Sequence, residues 1–457
     1  MSWTSRLASW FKPSSAAAAA APLGNYQSWT RQQLIDRLRL LESSTLPAPH
    51  HHHQHQQHHH RPTCSSSVHA LQRPFEFNAY PHHRIALKVA YVGWRYLGFA
   101  AQKDTQQTVE AALFQALQAT RLIEDPELCD FTRCGRTDKG VSGLGQVVAL
   151  NVRQSSTKQQ PSDDSGTMGG GGGAMIPRGM PYVEILNNVL PDDIRILAWS
   201  PVSPAFNARF DCVHRTYKYM FLKQDLDVAA MQQAAARMVG THDFRHFCKL
   251  DPSKQLNHLR TIHAIDIQPS HLGGKDAYEV VICGSAFLWH QVRCIMSVLL
   301  LVGQRLEPVT IVDSLLDPRR PEEGKPDYPL ASDVPLVLWD CTYPPGALDW
   351  QAPTRPYRLH QHFDDAQYDQ TVRAWIYQSF ANHVQQPAIS SIDNDPHAMS
   401  ERKTVVLGAG QTIRSTKYRP LLQRARADSD QVKREKYQAK LERKKQRQMQ
   451  VDSALIG

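Results

Sequence analysis

Residues 134–146 read CGRTDKGVSGLGQ and run without a break into the apolar stretch 147–152. A glycine-rich loop that opens directly onto an apolar strand restricts the fold more than any other segment, because it must deliver its polar residues to the end of a sheet. One carboxylate, Asp138, stands there between two cations, Arg136 and Lys139. In an extended loop Arg136, two residues away, can point to the same side as Asp138. A carboxylate beside a guanidinium favours its charged form and is ready to act as nucleophile or base. Judged locally, an ordinary turn with a surface ion pair fits the same residues.

The order before that loop is strand, then helix. Ile85, Leu87, Val89 and Tyr91 alternate with other residues, the period of a half-buried strand. Thr108 precedes Val109, Leu113 and Leu117 at helical spacing, with Glu110 in the first turn, where the helix dipole favours an acid. After the strand at 146–152 the pattern predicts a helix over 182–190 and a strand over 194–199. A second block follows: a strand at 214–222, a helix at 228–239 ended by Gly240, a strand at 278–283, a helix at 290–302 and a last strand at 335–340. Gly303 is the expected left-handed residue after the fourth helix. The pattern reads as an N-terminal half (84–200) and a C-terminal half (201–345), each a sheet with helices on one face, which would leave a cleft between them.

The rest of the chain differs in kind. Residues 1–80 are a low-complexity leader with one short amphipathic helix expected at 32–41 and a His/Gln-rich tract at 50–60. A Gly/Ser-rich stretch, 154–178, is a surface insertion, and 346–457 is an extension with a basic tail. Residues 411–450 hold thirteen Lys/Arg against four Asp/Glu, an excess equal to the whole formal net charge of +9. Tails of this kind bind nucleic acid or carry nuclear import signals; a solvated exposed helix has the same composition. No apolar run approaches the ~20 residues of a membrane span. The eight cysteines are scattered without a C-x-x-C pair, the pattern of reduced thiols in a cytosolic or nuclear protein.

G-x-G-x-x-G, P-loop, H-E-x-x-H and G-x-S-x-G patterns are all missing, so nicotinamide chemistry, nucleotide hydrolysis and zinc catalysis lack support. Basic and aromatic residues interleave instead. Arg209-Phe210 and then Arg215, Tyr217, Lys218 and Tyr219 make a platform for an unstacked base and its phosphate. Tyr219 and Phe221 read as core residues, and composition leaves Tyr217 undecided. His290, Arg293 and Ser297 form a polar line along one helix at i, i+3 and i+7. A cation in the first helical turn opposes the dipole, which is tolerable if Arg293 points at an anion such as Asp138 or a phosphate. A snorkelling surface arginine is the other reading.

These segments together resemble the TruA family of tRNA pseudouridine synthases. RCGRTDKGVSGLGQVV is similar to the family's catalytic segment. YVGWRYLGFA, QTVEAAL, ILNNVLPDDIRILAW, FNARFDCVHRTYKYMF, VGTHDFRHFCKLD, GSAFLWHQVRCIMSVLLLVGQ and PLVLWDC match in order, over roughly residues 84–345. The Val-Ser after Asp-Lys-Gly, the Phe-Cys-Lys-Leu-Asp segment and the later Lys-Tyr-Arg-Pro-Leu-Leu-Gln-Arg resemble the eukaryotic branch that modifies positions 38/39 of the tRNA anticodon arm.

The resemblance implies Asp138 as the catalytic aspartate and Arg136 as the arginine before it. It implies Tyr217 as the tyrosine that stacks on the target base and Arg293 as the arginine lining the same pocket. It further implies an α+β fold of two related halves around a basic RNA cleft, tRNA as substrate, no cofactor, no metal, no membrane contact and a homodimer. Nucleus and cytoplasm are the expected compartments. Isomerising uridine means breaking N1–C1′, turning the base and rejoining it through C5, with the base first taken out of its helix. One carboxylate suffices, whether it adds to the ribose, adds to the ring or removes a sugar proton. The departures from the family pattern are the Gly/Ser insertion, the His/Gln-rich leader and the Gly143-Leu144 pair, all expected to affect only surface loops and RNA approach.

Overall fold

The computed structural model describes residues 75–155, 180–253, 257–270, 276–317, 324–384, 403–415 and 417–456. The chain divides into two units, Met1–Arg73 and Pro74–Gly457, and all described residues lie in the second. The expected helix at 32–41, the His/Gln-rich tract and the insertion from 156 onward fall outside the described residues.

The N-terminal half contains β1 (His82–Tyr91), α1 (Val109–Ala119), β2 (Thr132–Arg133), β3 (Ser142–Arg153), α2 (Tyr182–Asn187) and β4 (Ile194–Pro201). The C-terminal half contains β5 (His214–Leu222), α3 (Val228–Ala236), β6 (Gly240–Asp243), β7 (Leu259–Pro269), β8 (Ala277–Gly284), α4 (Gln291–Gly303), α5 (Ile311–Leu316) and β9 (Leu336–Thr342). Beyond these lie α6 (Pro356–Val384), a hairpin of β10 (Lys403–Gly408) and β11 (Gln411–Ser415), and α7 (Asp430–Ile456). Every predicted strand and helix within 84–345 is present, and the class is α+β. Strands β6 and β7 and helix α6 were not anticipated.

The two halves share one mixed sheet in the order β4-β1-β3-β9-β5-β8-β7-β6, with β2 beside β3. All pairings are antiparallel except at the seam, where the start of β3 runs parallel to β9 through Ser142–Val337 and Gly143–Leu338. In β1, Ile85, Leu87 and Val89 pack with α1 and α2, but Arg84, Ala86 and Ala90 are buried as well, so the strand is covered on both faces rather than half-buried. Tyr219 and Phe221 of β5 pack with α3 and α4 in a second cluster. A third, smaller cluster joins Ala86, Val147 and Ala149 to Cys134, Cys212, Leu338 and Cys341. Tyr217 packs against both the second and the third.

Local chemistry explains the helix starts. Thr108 accepts the Ala111 N–H at 3.2 Å and Asp227 accepts the Ala230 N–H at 3.0 Å, each satisfying an orphan donor. Glu110 is buried rather than exposed to the dipole alone, and it pairs with Arg133. Helix α4 is buried at every position except Arg293. Gly303 ends that helix without adopting a left-handed backbone, which corrects its expected role. A Cβ there would meet Met231 Sδ at 2.6 Å, so the glycine permits close packing of α3 on α4.

Material beyond residue 345 also completes the core. Val405 of β10 and Leu421 are buried in the second cluster. Glu307 accepts the Leu421 N–H and the Tyr418 hydroxyl, both at 2.6 Å. Helix α6 has no buried residue, and the described part of α7 is largely exposed.

Candidate active site at the seam of the sheet

The loop of Asp138 is held from both ends before it meets any partner. At its start, the Gln146 side chain donates to the Gly135 carbonyl at 2.9 Å and accepts the Gly135 N–H at 3.3 Å. At its centre, Thr137 Oγ1 and Tyr91 Oη hydrogen-bond at 2.9 Å, and the Thr137 carbonyl accepts the Phe99 N–H at 3.1 Å. At its end, Gly140 donates to the Tyr96 carbonyl at 3.2 Å. Gly140 has φ +79°, and the space its Cβ would need is taken by the Asp333 carboxylate. Such fixing reduces the reorganisation a reaction would require.

Asp138 is thereby set against the first turn of α4. His290 Nε2 lies 3.8 Å from Asp138 Oδ2. His290 caps α4 with a left-handed backbone, φ 63°. Burial, reinforced by Arg293, Lys249 and Lys325, pushes the His290 pKa down to about 4. The imidazole is therefore neutral at pH 7, and the two groups do not form an ion pair.

Arg293 is the principal cation at the carboxylate. Its Nε donates to the Ala331 carbonyl at 2.8 Å and its Nη2 lies 3.5 Å from Asp333 Oδ1. Ser297 fastens the same segment, accepting the Ala331 N–H at 2.7 Å and donating to the Arg293 carbonyl at 2.9 Å. The polar line read from the sequence thus faces the 331–333 segment and Asp138. It is not a snorkelling surface row.

Burial dominates the titration of Asp138 and raises its pKa to about 6. Arg293 is the largest opposing influence, followed by a hydrogen bond from Trp289; Asp333 adds to the rise and Lys249 opposes it. The expectation that Arg136 would hold this carboxylate ionised does not match the geometry. Arg136 is exposed and, among the described residues, makes no ion pair. Its charge falls on the buried Glu110 instead. A loop residue two places away pointed elsewhere, while a helix more than 150 residues on supplied the guanidinium.

Tyr217 is half-buried, with its ring edge-on to Phe287 at 5.1 Å and 82°. Burial raises its pKa well above the usual phenol range, and the charges of Cys341, Tyr91, Cys134 and Asp138 act in the same direction. The phenol stays protonated. The neighbouring cations of the proposed platform are engaged elsewhere. Arg215 donates to the carbonyls of Ser285 and Arg209 at 2.6 Å and of Cys212 at 3.0 Å. Lys218 pairs with Glu279 at 3.0 Å and lies 4.1 Å above the Trp339 ring. Of that platform Tyr217 remains for a base, together with the exposed Phe210, whose ring lies 5.5 Å from the Arg209 guanidinium.

The structure therefore brings together Asp138, Arg293 and Tyr217, and leaves Arg136 at the surface beside them. Sequence reasoning did not find Asp333, Lys249 or Tyr91. Tyr91 was legible as a strand residue, but nothing marked its hydroxyl as the support for Thr137. Gly143 was read as a loop departure, yet it is buried. A Cβ there would come within 2.6–2.8 Å of the Tyr91 ring. The arrangement amounts to a partly desolvated carboxylate, still mostly ionised at neutral pH, with a cation and an aromatic ring at hand. It is suited to nucleophilic attack or to proton abstraction.

A family model described as tRNA pseudouridine synthase matches residues 234–344. A tRNA pseudouridine(38/39) synthase of Mus musculus is 44% identical over 281 residues, 60% of this chain and 58% of that protein. Its Homo sapiens counterpart is 43% identical over 288 residues, 61% of this chain and 59% of that protein. The protein of that name in Saccharomyces cerevisiae is 42% identical over 343 residues, 72% of this chain and 74% of that protein. The match spans about three-fifths of the length of the two mammalian relatives.

Proposed function

The chain belongs to the TruA family of tRNA pseudouridine synthases, and from that premise we propose that it isomerises uridine to pseudouridine at positions 38/39 of the tRNA anticodon stem-loop, with Asp138 as its catalytic carboxylate. One observation carries this reading: the Asp138 carboxylate, its pKa raised to about 6, sits at the seam of the sheet among Arg293, His290 and Tyr217, with a second carboxylate, Asp333, paired to Arg293. The relatives that share the 38/39 name support the choice of position.

In this reading the target uridine leaves its helix, at a cost of a few kcal/mol, and stacks on Tyr217. Desolvation makes Asp138 a stronger base and nucleophile than a carboxylate in water, while Arg293 keeps it anionic. Adding to the ribose, adding to the ring and abstracting a sugar proton each need only that one anion. The neutral His290 adds no competing positive charge. Arg136, exposed beside the loop, is available to an RNA phosphate or to the displaced base. The proposed partners are tRNA and a second copy of the chain. Basic residues of α7 contact phosphate or direct nuclear import, consistent with a protein working in nucleus and cytoplasm.

The test is chemical mapping of pseudouridine in unmodified tRNA incubated with the purified protein. Wild type should produce pseudouridine at 38 or 39. Asp138→Ala should produce none while binding tRNA nearly as well. Turnover by that variant would remove Asp138 from the mechanism, and modification confined to other uridines would overturn the positional assignment.

A further inference from the structure

Three of the scattered cysteines meet behind the active-site seam. Cys134 opens the loop of Asp138, Cys212 lies five residues before Tyr217, and Cys341 is in β9. Their Sγ atoms all lie within 4.8 Å of one another, and the residues are 3%, 7% and 7% exposed. From these positions and their surroundings we propose that Cys134, Cys212 and Cys341 bind one zinc ion that ties the catalytic loop to the strands on either side of the seam.

The donor set suits the metal. Thiolates are soft ligands that select zinc among the abundant divalent ions. Zn–S bonds of about 2.3 Å in a tetrahedral arrangement put sulfurs about 3.8 Å apart, so these three need close by no more than about 1 Å. Charge also balances locally. Three thiolates and a divalent cation leave one negative charge, and the Arg215 guanidinium packs against this group, donating to the Cys212 carbonyl at 3.0 Å and the Cys134 carbonyl at 3.5 Å. Tyr343 lies alongside, its hydroxyl donating to the Ala208 carbonyl at 2.5 Å.

Oxidation fits the site less well. Sulfur reactivity toward peroxides requires exposure as well as thiolate character, and these three side chains are enclosed. Binding instead releases protons: Cys212 Sγ, which donates to the His214 carbonyl at 3.2 Å, gives up that proton to become a ligand. Among the described residues no other His, Cys, Asp or Glu ligand atom joins the three. The fourth position falls to a small exogenous ligand. The ion's role is mechanical, fixing Asp138 relative to Tyr217, and no step of the isomerisation passes through it.

Metal analysis of the full-length protein, expressed with added zinc and purified without chelator, tests this without reference to activity. Wild type should carry about one zinc per chain, and its cobalt-substituted form should show thiolate-to-cobalt charge-transfer absorption. Cys134→Ser, Cys212→Ser and Cys341→Ser should each lose about tenfold or more of the metal, whereas Cys129→Ser should retain it. Should a serine variant fail to fold, chelator-stripped wild type serves instead: returning zinc should raise its melting temperature and restore the cobalt signature. Folded wild type that holds less than about a tenth of an equivalent and takes up none overturns the proposal. So does zinc that survives in all three serine variants without a thiolate band, since it then belongs to the His/Gln-rich tract at 50–60.

Discussion

Tyr91 lies across the face of Gly143, on the neighbouring strand, and reaches Thr137 with its hydroxyl at 2.9 Å, one residue before Asp138. The missing side chain at 143 is thus part of the support of the loop that carries Asp138. Gly143→Ala should cost about 1–3 kcal/mol of stability, because the added methyl meets a ring that is already buried. It should also reduce turnover, since the ring cannot move without releasing Thr137. Tyr91→Phe keeps the packing and loses only the hydrogen bond, about 0.5–1.5 kcal/mol. Denaturant melts and single-turnover rates of the two variants separate these effects. Equal losses in both would show that the hydroxyl alone matters.

In the role proposed for Asp138, its raised pKa sets the acid limb of the reaction. Only the anion attacks or abstracts, so kcat/KM should fall as pH drops through about 6, losing about tenfold per unit below it. An unperturbed aspartate would place that limb near pH 4. The pH profile of kcat/KM measures which holds.

The same shift carries a stability cost of defined sign. The folded state keeps its proton up to about pH 6 and the unfolded chain loses it near 4, so stability declines as pH rises across that window and stays lower above it. Asp138→Asn cannot ionise and escapes the penalty. At pH 7 it should be inactive yet more stable than wild type, by an amount on the order of 2 kcal/mol. Below about pH 4 the two proteins should unfold alike. Melting curves at several pH values read both limits, and a variant destabilised at pH 7 would contradict the desolvated carboxylate.

Arg293 opposes that shift more than any other group. Arg293→Ala should move the acid limb of kcat/KM up by about one pH unit, because the carboxylate loses its main cation. Arg293→Lys should restore most of the position of the limb, though the bond to the Ala331 carbonyl is harder to reproduce with an ammonium. Arg136→Ala should leave the limb unmoved and act on RNA binding. A limb that follows Arg136 would return it to the role first read for it.

Much of this molecule was legible in its residues. The alternation of Ile85, Leu87 and Val89 marks the face that meets α1 and α2, though not that Ala86 and Ala90 bury the other face too, and the spacing of Val109, Leu113 and Leu117 records a helix stripe. The loop motif singled out Asp138, and the polar line on α4 singled out Arg293. Strands β6 and β7 escaped because β6 has no fully buried residue and β7 buries only Ile262, Ile265 and Ile267, too few for a clear period of two. Helix α6 escaped although Tyr368, Val372, Ile376, Phe380 and Val384 recur every four residues, and that stripe is exposed rather than packed on the core.

What the tertiary structure decided is which distant residues meet. A linear reading set Arg136 beside Asp138 and left Arg293 open between Asp138, a phosphate and the surface, because separation along the chain is all it can weigh. The parallel seam of β3 and β9 decides between them by bringing residues 331–342 and the first turn of α4 to the loop. The meeting of Cys134, Cys212 and Cys341 is of the same kind. Local periodicity encodes the side on which each residue is buried; neighbours across a sheet are set by pairing register, and no single segment carries that information.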